Sequence, residues 1–279
     1  MAGLTEEQVS TQVGKVQVFR GGPAGPGAAG AVPLVYLHSA QGESNGLVLL
    51  ERLADSFDTV APVFPGFGES EGIDEIDDVE DAVFHLLDLF DQMGLGAAPV
   101  NIVGLSLGGW LAAEIATRYP ERIGRLVLVN PAGLYIQGHE IKEIFGRDLD
   151  ELALELFADQ SHPVAVLMHQ MASLATSTQG PDIPFEMLRP LLQSQAATAK
   201  LGWDPYLHNP KLQRRLYRVT APTLIVHGAQ DGLIPRAHAE AYAEGIADAR
   251  LVDVEGAAHM LPLEKPDELA ALVREFVAA

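Results

Sequence analysis

The chain has no cysteine among its 279 residues. A disulfide framework and a thiolate nucleophile are therefore both excluded, and covalent catalysis would have to use another group. Basic residues are also scarce, because 18 Lys and Arg side chains face 38 acidic ones and give a formal net charge of −20. Such a surface repels polyphosphates, so nucleic acid is a poor candidate partner.

Long hydrophobic runs are missing as well. The first ten residues include Glu6 and Glu7 instead of an apolar stretch, and no uninterrupted apolar run is long enough to span a bilayer. We therefore expect a cytoplasmic protein without membrane insertion. With 48% hydrophobic residues, the chain can bury one large α/β domain and a modest insertion.

Short apolar segments alternate with amphipathic segments along most of the chain. Two early strands joined by a Gly/Pro-rich loop are predicted at 13–19 and 32–37. Further strands are predicted near 59–64, 100–103, 126–129, 223–227 and 250–254, and helices at 47–54, 79–93, 107–118, 236–246 and 266–277. This order predicts an α/β fold with a mostly parallel sheet between two layers of helices. The early strands are expected to add antiparallel edges.

The alternation stops between residues 133 and 218. Only helical patterns occur there, at 149–157, 163–174 and 185–201. We interpret this stretch as a helical cap, residues 133–218, inserted into a core formed by residues 1–132 and 219–279.

The pattern G-x-S-x-G occurs three times, around Ser44, Ser70 and Ser106. A nucleophile elbow requires a strand that runs almost directly into a helix, because the strained turn lifts the serine Oγ above the sheet. Only Ser106 fits, between the strand at 100–103 and the helix at 107–118. Ser44 follows its strand by a loop and is expected to cap a helix. Ser70 lies between two glutamates that would oppose a developing oxyanion, so a loop role is expected.

The segment around Ser106 would also fit a serine at a helix N-terminus, so the other catalytic groups decide. A serine nucleophile needs a histidine base and a carboxylate that orients it, in the chain order Ser, Asp or Glu, His. Asp231 follows the strand at 223–227, and His259 follows the strand at 250–254. Both fall at the carboxyl ends of strands, where ligands bind in open α/β sheets. Structural roles are expected for three other histidines: His85, His227 and His238.

Five segments in chain order resemble motifs of the α/β-hydrolase superfamily, over nearly the whole length. They are Leu37-His38-Ser39-Ala40, Pro65-Gly66-Phe67-Gly68-Glu69-Ser70, the turn around Ser106, Gly228-Ala229-Gln230-Asp231 and Gly256-Ala257-Ala258-His259. The resemblance implies an α/β-hydrolase fold with a cap over the active site, and it implies an oxyanion hole made by the backbone N–H groups of Ala40 and Leu107. Members commonly have His-Gly where this chain has His38-Ser39. Dehalogenases and epoxide hydrolases of this fold have aspartate at the elbow, and Ser106 argues against both.

The sequence therefore predicts a serine hydrolase. Ser106 would attack a carbonyl, His259 would take its proton, Asp231 would orient the histidine, and water would cleave the acyl-enzyme. No metal or organic cofactor is expected. The expected substrate is a small molecule, a small or medium carboxylic ester.

Candidates for the substrate pocket combine apolar side chains of the cap with polar or apolar neighbours of the triad. They are His38, Met168, Met171, Met187, Arg189, Trp203 and Met260. Apolar side chains at helical spacing also fit an ordinary core, and an arginine also fits a solvated surface.

Other functions stay open at this point. The chain also resembles hydrolases that cleave a carbon–carbon bond in ring-cleavage products, and there Arg189 would hold the substrate carboxylate. Such hydrolases often have tryptophan directly after the catalytic histidine, where this chain has Met260. An acyltransferase or perhydrolase, and a small-molecule receptor without turnover, are the remaining alternatives, because a fold does not determine a function.

Overall fold

A computed structural model describes residues 4–23, 33–42, 46–176 and 185–279, without the side chains of residues 175, 176 and 185–187. Its strands form one sheet with the order β1-β2-β4-β3-β5-β6-β7-β8. The strands are β1 (Thr5–Ser10), β2 (Lys15–Gly21), β3 (Leu34–Leu37), β4 (Thr59–Pro62), β5 (Val100–Leu105), β6 (Ile123–Val129), β7 (Thr223–Gly228) and β8 (Ala249–Val254). β1 pairs with β2, and β2 with β4, in antiparallel orientation. From β4 through β3 and β5 to β8, in the order of the sheet, all neighbouring strands are parallel.

The antiparallel edge is confirmed, but its strands differ from the prediction. The hairpin consists of β1 and β2, whereas β3 lies inside the sheet between β4 and β5. β1 escaped prediction because nearly all its side chains are exposed, so it has no apolar alternation. β1 is an edge strand of the sheet, and an edge strand whose two faces are exposed needs no alternation of apolar residues.

Helices cover both faces of the sheet. They are α1 (Leu47–Ala54), α2 (Val79–Gln92), α3 (Leu107–Arg118), α4 (Leu149–Leu156), α5 (Pro163–Thr176), α6 (Phe185–Gly202), α7 (Arg236–Gly245), α8 (Leu261–Glu264) and α9 (Pro266–Ala278). Short 3₁₀ turns lie at Ile73–Glu75, Pro120–Arg122 and Gln213–Arg218. All helices except α8 were predicted, with ends that agree within two residues.

The core consists of two apolar layers, one on each face. In β3, Leu34 and Tyr36 pack with α1 and α9, while Val35 and Leu37 pack with α2, α3 and α7. Because alternate side chains point to opposite faces of a strand, a strand buried on both faces reads as a continuous apolar run. The predicted α/β fold is confirmed.

The helices α4, α5 and α6 lie between β6 and β7 in the chain. A bridge between Gly133 and His208 joins the two ends of this inserted segment. The division into core and cap stays a proposal. In the described part of the chain, no helix combines the length and hydrophobicity that a bilayer-spanning segment requires. The cytoplasmic location stays a prediction.

Candidate active site

Ser106 occupies a strained turn between β5, which ends at Leu105, and α3, which begins at Leu107. Its backbone has φ of 54° and ψ of −111°, a conformation that costs a non-glycine residue about 1–3 kcal/mol. Its N–H donates to the Val129 carbonyl at 2.9 Å, and its carbonyl accepts from the N–H of Trp110 at 3.0 Å. The backbone thus holds the geometry that the motif predicted.

The two glycines that flank the serine are required by close packing. A Cβ at Gly104 would overlap the Gly108 carbonyl, and a Cβ at Gly108 would overlap the carbonyl oxygens of Leu37 and His38. The first turn of α3 therefore lies directly against β5 and against the loop after β3. Any side chain at either position would displace the turn that carries Ser106.

Asp231 and His259 form a buried pair. The histidine Nδ1 lies 2.8 Å from Oδ2 of the aspartate, and neither side chain is exposed to solvent. The second oxygen, Oδ1, accepts from the backbone N–H groups of Leu233 and Ile234, both at 2.9 Å. These bonds fix the carboxylate, which in turn fixes the Nδ1-protonated tautomer of the histidine.

The other ring nitrogen, Nε2 of His259, is buried and has no hydrogen-bond partner among the residues that the structure describes. Ser106 therefore does not hydrogen-bond to it in this structure. Nε2 carries no proton in the tautomer set by Asp231, so it can act as a base. Catalytic hydrogen bonds often close only when substrate binds.

Asn130 joins the loops that carry Asp231 and His259. It follows β6 directly, next to Ser106, and has a positive φ of 43°. Its side-chain oxygen accepts from the Gly228 N–H at 2.9 Å, and its amide nitrogen donates to the carbonyls of Ala258 and His259 at 3.2 and 3.0 Å. Sequence reasoning missed this residue. An asparagine directly after a buried strand was the available signal, because asparagine tolerates positive φ.

The two predicted oxyanion donors lie at neighbouring elements. Leu107 is the first residue of α3, where an N–H has no acceptor within the helix, and Ala40 lies in the loop against which that turn packs. Within the described residues, neither N–H donates a hydrogen bond. The Ala40 carbonyl accepts instead from the Thr198 hydroxyl of α6, at 3.4 Å.

His38 holds the loop after β3 and lines neither the 310 Å³ cavity beside His259 nor its smaller neighbour, which corrects its assignment to the pocket. Its Nδ1 donates to the Ser39 carbonyl at 2.8 Å, and its Nε2 accepts from the Phe64 N–H at 2.9 Å. The ring also contacts those of Phe64 and Phe67, with centroids 4.1 and 4.8 Å away. Burial lowers the pKa of His38 to about 4, and the bond to Ser39 opposes this shift.

An apolar cavity of about 310 Å³ lies between the inserted helices and the loops that contain Ala40 and His259. It is lined by Gln41, Gly68, Leu149, Leu156, Phe157, Val164, Leu167, Met168, Met171, Pro190, Leu191, Ser194 and Met260. A smaller cavity of about 60 Å³ shares six of these residues and extends to Ala40. Gln41 directly follows Ala40 and Met260 directly follows His259, so the cavity begins beside one predicted oxyanion donor and the predicted base.

The pocket candidates divide into three groups. Met168, Met171 and Met260 line the cavity. Trp203 does not, because it is 62% exposed and packs on the ring of Phe145. Arg189 is exposed and stands outside the lining although the next two residues belong to it. The side chain of Met187 lies outside the described residues.

The two other serine motifs do not compete for the site. Ser70 is buried, donates to the Val63 carbonyl at 2.8 Å and accepts from the Gln17 N–H at 3.0 Å. This agrees with its predicted loop role. Ser44 lies outside the described residues. A surface groove of about 860 Å³, between α2, α3 and residues 200–218, contains none of the triad or oxyanion candidates.

Comparisons with known proteins agree with this architecture. The chain is 29% identical to the biotin biosynthesis bifunctional protein BioHC of Teredinibacter turnerae, over 91% of the chain and 46% of the relative. It is 27% identical to the 2-hydroxymuconate semialdehyde hydrolase of Pseudomonas sp. strain CF600, over 88% and 87%. A crystal structure of a membrane phospholipase A superposes with a TM-score of 0.80 at 20% identity, over 99% of this chain and 86% of that one.

The chain spans from about half to about two thirds of the length of three curated relatives that it matches. Relatives are variously named as hydrolases, an esterase and acetyltransferase components. The family model described as the alpha/beta hydrolase fold matches residues 32–266, which include every catalytic candidate. The chain therefore belongs to the alpha/beta hydrolase family.

Proposed function

We propose that this protein is a serine hydrolase that cleaves a neutral carboxylic ester of small or medium size. The Ser106 Oγ attacks the ester carbonyl while its proton passes to Nε2 of His259. The N–H groups of Ala40 and Leu107 stabilise the oxyanion. The protonated histidine then gives its proton to the departing alkoxide, and a water molecule hydrolyses the acyl-enzyme by the same route.

One observation carries this proposal: the buried pair of Asp231 and His259 leaves Nε2 unprotonated at the sheet edge where Ser106 stands in its strained turn. The His259 imidazole is buried and has no hydrogen bond at Nε2 among the described residues. This arrangement lowers the stability of the fold, because a buried polar atom without a hydrogen-bond partner is unfavourable. A role in proton transfer accounts for that arrangement.

The lining of the cavity supports an uncharged substrate. In the described residues, neither the 310 Å³ cavity nor its 60 Å³ extension is lined by a charged side chain. A free carboxylate would enter such a cavity without a cation to pair with, at a desolvation cost of several kcal/mol. The transfer of an alkyl or aryl acyl group from water into this cavity is favourable.

Carbon–carbon bond hydrolysis is the second candidate, favoured by the similarity to a 2-hydroxymuconate semialdehyde hydrolase over most of both chains. It would use the same nucleophile and base, but its substrates carry a carboxylate. An acyltransferase would use the same acyl-enzyme with an alcohol or thiol as acceptor, and a receptor would bind ligand without turnover.

A fluorophosphonate probe and an ester panel test the proposal. Wild type should be labelled at one site and should hydrolyse neutral esters, whereas Ser106→Ala should lose labelling and lose at least about 10³-fold in kcat. Ser70→Ala is the matched control, since it removes the same group from the same sequence pattern and should still be labelled. An unlabelled wild type, or an active Ser106→Ala, would overturn the proposal.

The panel also separates the candidates. Neutral esters of graded acyl length, a dienoic keto-acid and an ester with added alcohol or thiol are compared by kcat/KM. Preference for the keto-acid would favour carbon–carbon hydrolysis, and extra product with the added acceptor would favour acyl transfer. Saturable binding with no product would favour the receptor.

A further inference from the structure

The Glu264 carboxylate, at the end of α8, connects the histidine loop to the inserted helices. Its Oε2 accepts from the N–H of Ala258, directly before His259, at 2.7 Å. Its Oε1 accepts from the N–H groups of Ala158 and Asp159 at 2.8 and 2.9 Å. One carboxylate therefore binds three backbone N–H groups on two segments that are about a hundred residues apart in sequence.

The end of α4 makes further bonds to the same loops. The Glu155 carbonyl accepts from the N–H of Gly232 at 3.1 Å, and the Leu156 carbonyl accepts from the N–H of Met260 at 2.9 Å. Gly232 and Met260 directly follow the two residues of the buried pair. The last carbonyls of a helix have no N–H donor within the helix, and here they accept from the loops that contain Asp231 and His259.

We propose that Glu264 is a positioning residue for His259, an inference that rests on the proposed serine hydrolase function. The backbone around His259 is held on one side by the Asn130 amide and on the other by the Glu264 carboxylate. Bonds to an ionised acceptor are shorter and stronger than those between neutral groups. The carboxylate thereby sets the position of the imidazole relative to Ser106 and Asp231.

The neutral variant Glu264→Gln separates positioning from folding. An amide has one acceptor oxygen, so it can accept from Ala258 or from the Ala158–Asp159 turn, but its NH₂ group would face donors at the other end. A small displacement of a catalytic group can cost up to about 10²-fold in rate. We expect kcat to fall on the order of 10- to 100-fold, with KM changed less than about twofold because the cavity is untouched.

The separate values of kcat and KM give a readout that a purely structural role would not produce. General destabilisation lowers the number of active sites, whereas a displaced histidine lowers kcat at each site and leaves KM nearly unchanged. Rates are expressed per active site, titrated with the fluorophosphonate probe, so that misfolded protein does not count.

Two controls accompany the variant. Glu268→Gln makes the same change at an exposed position of α9 and should match wild type in kcat and KM. Leu269→Ala removes a fully buried side chain of α9 and should lower Tm without changing kcat per site. If Glu264→Gln folds too poorly to purify, Glu264→Asp keeps the charge but is too short to reach both segments, and it should show a smaller loss of kcat.

A wild-type kcat per active site in Glu264→Gln would overturn the inference, even if Tm falls. The same loss of kcat per site in Leu269→Ala would also overturn it, because general destabilisation would then be the cause. An unlabelled wild type would instead overturn the proposed function itself, so the two failures are distinguishable.

Discussion

The loops that carry the catalytic candidates Asp231 and His259 are held in a different way from the inserted helices. In the loops, polar groups are buried and bound: Asp231 binds His259 and two backbone N–H groups, and Asn130 binds two loops at once. In the helices, the side chains that meet the cavity are mostly apolar and contribute area without directed bonds. Hydrogen bonds impose geometry, whereas apolar contact tolerates change of shape.

This contrast implies a division of tasks. Substitutions in the loops should change the rate of the chemical step, while substitutions in the helices should change which acyl group fits. The following expected results test that division, beginning with the largest effect.

Asp231→Asn should lower kcat by about 10⁴-fold. The amide would donate to Nδ1 of His259 and leave the proton on Nε2, so the ring could no longer accept the serine proton. Steady-state ester hydrolysis measures the loss, with Asp248→Asn on the exposed surface as the matched control. A loss below about tenfold would contradict the assignment of Asp231 as the orienting carboxylate.

His38→Gln should remove part of the acid sensitivity of folding. With a folded pKa of about 4 against an ordinary value of 6.5, the unfolded chain binds a proton between these pH values that the folded chain does not. Stability from the neutral ring is thus complete above pH about 6.5 and is lost by pH about 4, a difference of about 3 kcal/mol. Urea unfolding at pH 7 and at pH 4.5 measures this loss of unfolding free energy. If the free energy of unfolding falls by the same amount between the two pH values in variant and wild type, the prediction is wrong.

Met168→Ala should enlarge the cavity and shift preference toward longer or bulkier acyl groups by about tenfold in relative kcat/KM. Met168 lines both the cavity and its extension toward Ala40, so its removal joins the two spaces. Val166→Ala on the exposed side of α5 is the control. An equal loss of rate for all chain lengths would mean that this helix contributes to chemistry as well.

Arg189→Gln should leave the hydrolysis of neutral esters within about twofold of wild type, as surface substitutions usually do. The side chain is exposed and outside the cavity lining. A selective loss for carboxylate-bearing substrates in the panel would instead support the carbon–carbon hydrolase alternative.

Local patterns in the sequence predicted the parts of the site that local structure creates. The turn around Ser106 could be recognised because its glycines, the strand before it and the helix after it are adjacent in the chain. The order Ser, Asp, His and the strand ends then indicated two more residues, and the structure brings Asp231 and His259 into contact.

Features that depend on distant packing could not be predicted in this way. The hydrogen bonds of Asn130 and Glu264 join segments that are about a hundred residues or more apart, and no short sequence pattern encodes them. Trp203 looked like a pocket residue because it is large and apolar, but single exposed apolar side chains are common on protein surfaces. His38 was a pocket candidate close in sequence to Ala40, yet both its ring nitrogens form hydrogen bonds within the fold.

The bonds from the last turn of α4 to Gly232 and Met260 bear on the engineering of this protein. Because α4 binds the loops that contain Gly232 and Met260, an exchange of the whole inserted segment 133–218 would also remove bonds that hold these loops. A chimera that takes its selectivity from a relative should keep the native chain through residue 159 and begin the foreign segment only at α5.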